Sequence, residues 1–245
     1  DGLTFKTQAG LDIANVRDYM YWDTESGDGY GYGGLIEEVN STYATWNWQN
    51  VLNFTRTFNS VHNLTATAVQ EYTHSETEYM DGSVYELSDP FFSEHIISNT
   101  FGQKDVGGWK SENGLASYMF RANYNYDSKY YIGASIRYDG LSKLPKDTRW
   151  GTFWGASAAW RLSREKFWTE APVNEWFNDL RLRASYATIG NSALGSDYPY
   201  LGTYGAKLVG PMAGIAWNVM GNNNLKWETT ETFDIGLDGA LFNNR

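Results

Sequence analysis

Cysteine is absent from this chain of 245 residues, which contains only three histidines and five prolines. Without cysteine the chain forms no disulfide and offers no thiolate ligand to a metal. Runs of about 18 apolar residues are also absent, which excludes a membrane-spanning helix. The mean hydropathy of −0.52 is that of a polar chain. It remains compatible with membrane-spanning strands, because a strand exposes only half of its side chains to lipid.

Basic residues are outnumbered, with 19 lysines and arginines against 29 acidic residues and a formal charge of −10. The acidity is concentrated in segments 23–44 and 73–113, which together hold 13 acidic and 2 basic residues. A nucleic-acid partner would need a basic surface, so this class of function is excluded. We expect both segments to be solvated connections.

Alternation of apolar and polar residues is the main positive signal. Residues 118–126 alternate strictly, and after a short break Ile132, Ala134, Ile136 and Tyr138 alternate with Gly133, Ser135, Arg137 and Asp139. A period of two indicates strands with one apolar and one polar face. Because aromatic residues make up 17% of the chain and lie near the strand ends, we predict an all-β, antiparallel, up-and-down transmembrane β-barrel.

The connections between eight such stretches alternate between long and short. Outer-membrane barrels have long outer loops and short periplasmic turns, so this alternation predicts an outer-membrane location and assigns sides. The outer connections are 23–44, 73–113, 140–150 and 190–224, and the periplasmic ones are 59–62, 127–129, 163–178 and 243–245. In the third turn we expect Ser163 to cap a short helix that runs to about Glu170.

Eight strands either close into a small barrel or form an arc of a larger one. A self-contained barrel would serve as an adhesin or a small pore. The inward face carries several charged residues, which indicates a hydrated wall rather than the packed bore of a small barrel. These residues are Arg121, Arg137, Arg161, Arg181 and Arg183 beside Asp139 and Asp234.

Several ordered blocks lie between about residues 115 and 245: 136–142 (IRYDGLS), 149–153 (RWGTF), 157–162 (SAAWRL), 180–186 (LRLRASY) with 190–191 (GN), 224–229 (NLKWET) and 233–237 (FDIGL). In sequence and spacing these blocks closely resemble the barrel of SusC/RagA-type TonB-linked outer-membrane transporters of Bacteroidetes. The earlier part of the chain is consistent with this resemblance but has fewer diagnostic residues.

The resemblance implies a barrel of about 22 strands that is closed by an N-terminal plug. Residues 1–245 would then be a partial transmembrane β-barrel domain that lacks the plug, the TonB box and the remaining strands. Such transporters import oligosaccharides or peptides with a SusD-like lipoprotein, and the TonB complex supplies the energy. The implied partners are these proteins, the substrate and outer-membrane lipid; no cofactor is expected.

Aromatic residues in or beside the outer connections are candidates for contact with substrate or with a lid protein, since exposed aromatics favour interfaces. They are Tyr30, Tyr32, Trp109, Tyr198, Tyr200 and Trp217. The alternative is an aromatic girdle at the membrane surface, which suits Trp22 and Trp109. Tyr198, Tyr200 and Trp217 lie too far inside a connection for a girdle.

Catalytic and metal-binding residues are not expected. His62 lies in a periplasmic turn whereas His74 and His95 lie outside, so the three histidines do not form a metal cluster. A hydrolase would require His74 or His95 beside a serine such as Ser75 or Ser93. The carboxylates at Asp23, Glu25 and Asp28 lack a recognised Ca²⁺-binding spacing, and we expect them to be solvated.

Overall fold

The computed structural model describes residues 2–87, 96–98, 100, 102–209 and 212–242. Strands dominate these residues, with one short helix, α1 (Lys166–Thr169), and 3₁₀ segments at Gly27–Tyr32, Leu162–Arg164 and Pro172–Glu175. The strands are β1 (Gly2–Trp22), β2 (Leu35–Phe58), β3 (His62–Tyr85), β4 (Lys104–Tyr126), β5 (Tyr130–Leu141), β6 (Trp150–Arg161), β7 (Phe177–Asn191), β8 (Thr203–Val209), β9 (Met212–Val219) and β10 (Glu228–Leu241).

Eight strands form one sheet in the order β1-β2-β3-β4-β5-β6-β7-β10, and β8 pairs only with β9. Neighbours in the sheet follow each other along the chain, except that β8 and β9 lie between β7 and β10, and the pairs from β4 to β10 are antiparallel. The prediction of an all-β, up-and-down fold is therefore confirmed. The connection 190–224 differs from the prediction, because it contains the β8–β9 hairpin.

Two short turns lie where the sequence placed them. Asn59 and Ser60 have φ values of 49° and 60°, and Asp127 and Ser128 have values of 50° and 54°. Two successive left-handed residues give the turn whose twist matches that of antiparallel strands. Asparagine, aspartate and serine tolerate this conformation better than most other residues do.

The long connections are shorter than predicted. β2 begins at Leu35, β3 continues to Tyr85 and β4 begins at Lys104, so the connections shrink to 23–34 and 86–103. The added parts lack a strict alternation because acidic and other polar residues are mixed with apolar ones there, while the backbone hydrogen bonds that define the ladder do not depend on side-chain polarity. Acidic residues such as Glu76 and Glu112 consequently lie on strands.

Ser163 does not cap a helix. The residue before α1 is Glu165, which makes no capping hydrogen bond through its side chain. Ser163 Oγ instead donates to Asp179 Oδ1 over 2.5 Å, and this bond connects the turn after β6 to the start of β7.

The chain divides into two compact units. One comprises residues 1–9, 48–72 and 114–245, with Leu141, Leu144 and Phe153 as buried apolar residues. The other comprises residues 10–47 and 73–113, with Leu35, Ile36 and Val84 buried. The second unit holds 15 acidic and 3 basic residues, a net charge of −12, so it carries the acidity of the chain.

The apolar face of β5 is bounded by aromatic pairs at both ends. Tyr138 stacks on Trp150 with ring centroids 4.7 Å apart, and Tyr130 stacks on Trp160 at 6.4 Å. The nine residues from Tyr130 to Tyr138 span about 27 Å of strand, comparable with the apolar band of about 25 Å in outer-membrane barrels. Between them Ile136 is 49% exposed, as a lipid-facing side chain would be.

Among the described residues, no helix combines the length and the apolar composition needed to cross a membrane.

Candidate functional site

The face opposite the aromatic pairs is polar. The strand register places Ser135 opposite Gly155, Ser157 opposite Ser185 and Arg181 opposite Asp238. A groove of about 780 Å³ lies along this face and is lined by polar residues from five strands, among them Asn123, Ser157, Arg181, Arg183 and Asp234. The predicted assignment of these residues to one face is consistent with this arrangement.

Three aspartates on the polar wall are each paired with arginine. Both oxygens of Asp139 lie 2.7 Å from Arg137 Nε, and Arg137 Nη2 also donates to Ser117 Oγ at 3.0 Å. Asp139 is 6% exposed, so its charge needs this partner. The other two pairs are Arg161 with Asp179 and Arg181 with Asp238. The wall is hydrophilic but has little unbalanced charge.

An aromatic pair interrupts the polar face and was missed by the sequence analysis. Phe153 and Trp227 meet edge to face with centroids 5.2 Å apart, and Phe153 is 6% exposed. A Cβ atom at Gly190 would overlap the Phe153 ring, and one at Gly151 would lie 2.7 Å from Phe153 Cζ. The two glycines therefore make room for Phe153.

Trp227 precedes β10, so strand alternation does not determine the direction of its side chain. Its Nε1 donates to the carbonyl of Arg149 at 2.8 Å, and Thr148 Oγ1 donates to the carbonyl of Leu225 at 2.5 Å. These bonds attach the segment before β10 to the β5–β6 connection, and they involve two blocks of the family resemblance, 149–153 and 224–229. The spacing of these two blocks was the signal in the sequence that could have indicated this contact.

The aromatic residues Tyr30, Tyr32 and Trp109 belong to the acidic unit. Tyr30 is 71% exposed in the 3₁₀ segment, whereas Tyr32 contacts Trp22 and Tyr85 with centroids 6.3 and 5.9 Å away. Trp109 lies on β4 and stacks on Tyr79 at 5.6 Å. Of the three, Tyr30 offers the most surface to a partner.

Tyr198, Tyr200 and Trp217 belong to the other unit. Tyr198 and Tyr200 flank a turn in which Leu201 N–H donates to the Tyr198 carbonyl at 3.1 Å. Trp217 lies on β9 and packs on Tyr204 of β8 with centroids 4.1 Å apart. The structure thus places these three residues in or beside one hairpin.

The β8–β9 hairpin has one apolar face. Cross-strand partners share a face, so Tyr204 and Trp217 lie on one side together with Ile215, two residues before Trp217, while Lys207 pairs with Gly214 on the other. Ile215 is 81% exposed and Trp217 is 55% exposed. An isolated two-stranded hairpin is marginal in water, so such a face favours a covering partner.

In the turn after β6, the carboxylate of Glu165 accepts hydrogen bonds from two aromatic residues of the neighbouring strands. Tyr130 Oη donates to Glu165 Oε1 at 2.5 Å, and Trp160 Nε1 donates to the same oxygen at 3.1 Å. The hydrogen bonds from Tyr130 and Trp160 lower the pKa of Glu165 below its usual value. Two donors favour the ionised carboxylate, which keeps the girdle residues oriented.

The structure does not pair His74 with Ser75, one of the two serines that the sequence suggested as its partner. Ser75 Oγ lies 3.0 Å from Thr45 Oγ1, and adjacent strand residues such as His74 and Ser75 point to opposite faces. His95 and Ser93 lie outside the described residues. His62 Nδ1 lies 2.6 Å from Tyr124 Oη in the unit that does not contain His74.

Asp23, the first carboxylate of the acidic loop after β1, accepts hydrogen bonds from within the same loop. Glu25 N–H donates to Asp23 Oδ1 at 2.8 Å, and Ser26 Oγ donates to Asp23 Oδ2 at 3.3 Å. The backbone N–H of Glu25 lowers the pKa of Asp23. These local bonds are those of a turn-forming aspartate.

Strands with one apolar face bounded by aromatics and one polar face of paired charges define the wall of an outer-membrane β-barrel. The chain belongs to the TonB dependent receptor-like β-barrel family, whose model matches residues 1–245. This is a family of receptors and transporters rather than enzymes, and their barrels are outer-membrane proteins.

Relatives and solved structures agree with this family. TonB-dependent receptor P39 of Formosa agariphila is 32% identical over 247 residues, covering 100% of this chain and 23% of that protein. TonB-dependent receptor SusC of Bacteroides thetaiotaomicron is 33% identical over 149 residues, covering 58% of this chain and 15% of that protein. The structure of the RagAB peptide transporter matches with a TM-score of 0.87 and 26% identity, covering 100% of this chain and 27% of that chain.

The chain therefore spans about a quarter of the length of the relatives that it matches throughout. The resemblance to SusC/RagA-type barrels is confirmed.

Proposed function

We propose that this chain is part of the barrel wall of a TonB-dependent outer-membrane transporter that imports oligosaccharides or peptides. The observation that carries the proposal is the division of the same strands into an apolar, aromatic-bounded face and a polar face of paired charges. A wall of this kind separates lipid from a hydrated passage. The family membership of the whole chain supports the same function.

Residues 1–245 form a partial transmembrane β-barrel domain in this proposal. The strands β1 and β10 end the sheet, and unpaired backbone groups at lipid depth are too costly to persist. Further strands of the same protein therefore pair with both edges and complete a barrel of about 22 strands. The plug and the TonB box lie in the remaining three quarters of the protein, where the TonB complex acts.

A SusD-like surface lipoprotein is the proposed partner at the outer end. The apolar face of the β8–β9 hairpin supports this partner, because its tyrosine, tryptophan and isoleucine side chains are exposed and a large aromatic surface is typical of an interface. Tyr198 and Tyr200 extend the same contact. Tyr30, Tyr32 and Trp109, in the acidic unit, are proposed to contact the substrate or the lipoprotein.

Substitution within the hairpin tests the partner. Tyr204→Ala with Trp217→Ala removes the stacked pair, and we expect at least about a 30-fold loss of affinity for the lipoprotein, as for an interface hot spot. Lys207→Ala changes the opposite face and serves as the matched control. Co-purification of the lipoprotein with each full-length variant measures the effect. Equal recovery with the double variant and the control would remove the hairpin from the interface.

Uptake tests the transport function itself. Deleting the gene that encodes this chain should abolish import of a labelled oligosaccharide or peptide into intact cells, and disabling TonB should have the same effect. Whether the oligosaccharide or the peptide is the class that is lost identifies the substrate. Unchanged import of both classes after deletion would contradict the proposal and return the adhesin to consideration.

A further inference from the structure

Three metal-ligating side chains meet on the neighbouring strands β3 and β4. His74 and Glu76 are two residues apart on β3 and therefore share a face, and Glu112 lies on β4, the next strand in the sheet. The ligand atoms of the three residues lie within 4.8 Å of one another. His74 Nε2 is 3.9 Å from Glu112 Oε2.

We propose that His74, Glu76 and Glu112 bind Zn²⁺. One imidazole nitrogen and two carboxylate oxygens are ligands that zinc accepts, and a fourth position remains for water. Calcium is a poorer candidate, since it takes six to eight oxygen ligands. With metal–ligand distances of about 2.0–2.2 Å, tetrahedral ligand atoms lie about 3.3–3.6 Å apart. The ligand atoms of His74, Glu76 and Glu112, which lie within 4.8 Å of one another, therefore need only a small side-chain movement to reach this geometry.

Neighbouring side chains restrict how far His74 can move. Its ring contacts Trp46 of β2, with centroids 5.9 Å apart. The adjacent Ser75 is bonded to Thr45 on the opposite face, across the β2–β3 pair. The His74 and Glu76 side chains are 25% and 34% exposed, so they are partly held by packing while remaining accessible to an ion.

Lys110 competes with the metal for Glu76. Its Nζ lies 2.6 Å from Glu76 Oε1, and its side chain is 55% exposed. An exposed lysine–carboxylate pair contributes little to stability, and the flexible lysine can turn into solvent when zinc enters. Removing Lys110 should therefore increase zinc affinity, whereas removing a ligand should decrease it. An acidic patch that attracts ions only through its net charge would also gain affinity when Lys110 is removed, but it would not lose affinity when His74, which contributes no carboxylate, is replaced by glutamine.

Zinc titration of the purified full-length transporter, followed by calorimetry with Zn²⁺ alone, tests the site. His74→Gln keeps the size and polarity of the side chain at neutral charge, and we expect it to weaken one zinc site by more than about tenfold, since even second-shell changes cost about 10–100-fold. Glu112→Gln should do the same. Lys110→Met should strengthen zinc binding by about two- to fivefold, the worth of an exposed ion pair.

His62→Gln is the matched control, because His62 contacts Tyr124 and Tyr126 and lies outside the cluster. It should leave the site unchanged. Heat-modifiable migration on gels shows whether each variant has folded, and unfolded variants are replaced by His74→Asn or Glu112→Asp. If His74→Gln and His62→Gln bind zinc equally, or if the unmodified protein binds none, the site does not exist. The result is independent of transport, which is measured separately.

Discussion

Arg161 and Asp179 are joined by two parallel hydrogen bonds, Nε to Oδ1 and Nη2 to Oδ2, both 2.7 Å long. Arg161 is the last residue of β6, and Asp179 is near the start of β7. Ser163 adds a third donor to the same carboxylate. The whole turn between these strands is therefore fastened by one aspartate on the polar face.

Arg161→Leu should lower the stability of the full-length protein by about 1–2 kcal/mol, an amount reduced by the partial exposure of both side chains. Asp179 would keep only Ser163 as a partner. Arg161→Leu with Asp179→Leu should recover part of the loss, because no uncompensated charge remains. Thermal unfolding in detergent measures both. A double variant that is less stable than Arg161→Leu by the full cost of a second substitution would show that the two residues act independently.

Gly190→Ala should destabilise the protein by about 1–3 kcal/mol, as overpacking does. The added Cβ would overlap the Phe153 ring. Gly195→Ala is the matched control, because a Cβ there meets no atom within 4 Å. Adding Phe153→Ala to Gly190→Ala should reduce the steric part of the cost. Equal unfolding temperatures for the two single glycine variants would contradict the packing seen around Phe153.

Ala134→Arg should impair barrel assembly, whereas Ser135→Arg should assemble. Ala134 lies between Ala122 and Ala156 on the apolar face, and Ser135 lies between Arg121 and Gly155 on the polar face. Arginine at the bilayer midplane costs about 2–4 kcal/mol on the lipid face. The amount of folded, heat-modifiable protein in the outer membrane measures assembly. Reversed behaviour of this pair would mean that the faces are exchanged, since a shift of one residue moves every side chain to the other face.

Glu165→Ala should lower the unfolding temperature at neutral pH but not in acid. The hydrogen bonds from Tyr130 and Trp160 lower the pKa of Glu165, so their stabilisation is complete above the ordinary carboxyl pKa of about 4.3. It is lost as the pH falls through the lowered pKa. Glu170→Ala, in the same exposed turn, is the control. The expected observation is a difference from wild type that persists at pH 5–7 and disappears in stronger acid; a difference that is constant down to pH 2 would exclude this linkage.

Cysteine labelling should establish which loops face outward. The chain has no cysteine of its own, so each single substitution places one thiol within residues 1–245, and the protein without the substitution is the control for labelling elsewhere. Gly31→Cys lies in the 23–34 connection, where a Cβ meets no atom within 4 Å, and a membrane-impermeant maleimide should label it on intact cells. Glu170→Cys, in the turn after β6, should be labelled only after the outer membrane is opened. Labelling of Glu170→Cys alone on intact cells would invert the topology.

Much of the fold follows from local pattern. The outward set Ile132, Ala134 and Ile136 was predictable because lipid on one side and water on the other impose a period of two on side-chain polarity. The turns at 59–62 and 127–129 were predictable because asparagine, aspartate and serine tolerate the left-handed backbone. The aromatic candidates Tyr198, Tyr200 and Trp217 were identified from their distance from the strand ends.

Other features have no local signal. The extension of β3 to Tyr85 and the start of β4 at Lys104 depend on backbone pairing between segments that have no strict alternation of apolar and polar residues. The sequence around Ser163 resembled that of a helix N-cap, but Ser163 donates its hydrogen bond to Asp179, 16 residues away. The Phe153–Trp227 contact and the His74–Glu112 pair each join different strands or connections.

The fold class and the faces of the strands follow from local sequence, because residues that are adjacent or two apart along the chain encode them, and the family follows from short blocks of residues. Which charges pair, where Trp227 points, how β8 meets β9 and which carboxylates lie near His74 are set by the folded structure. These depend on register between strands and on side-chain packing, and such contacts arise when distant segments become neighbours in the sheet.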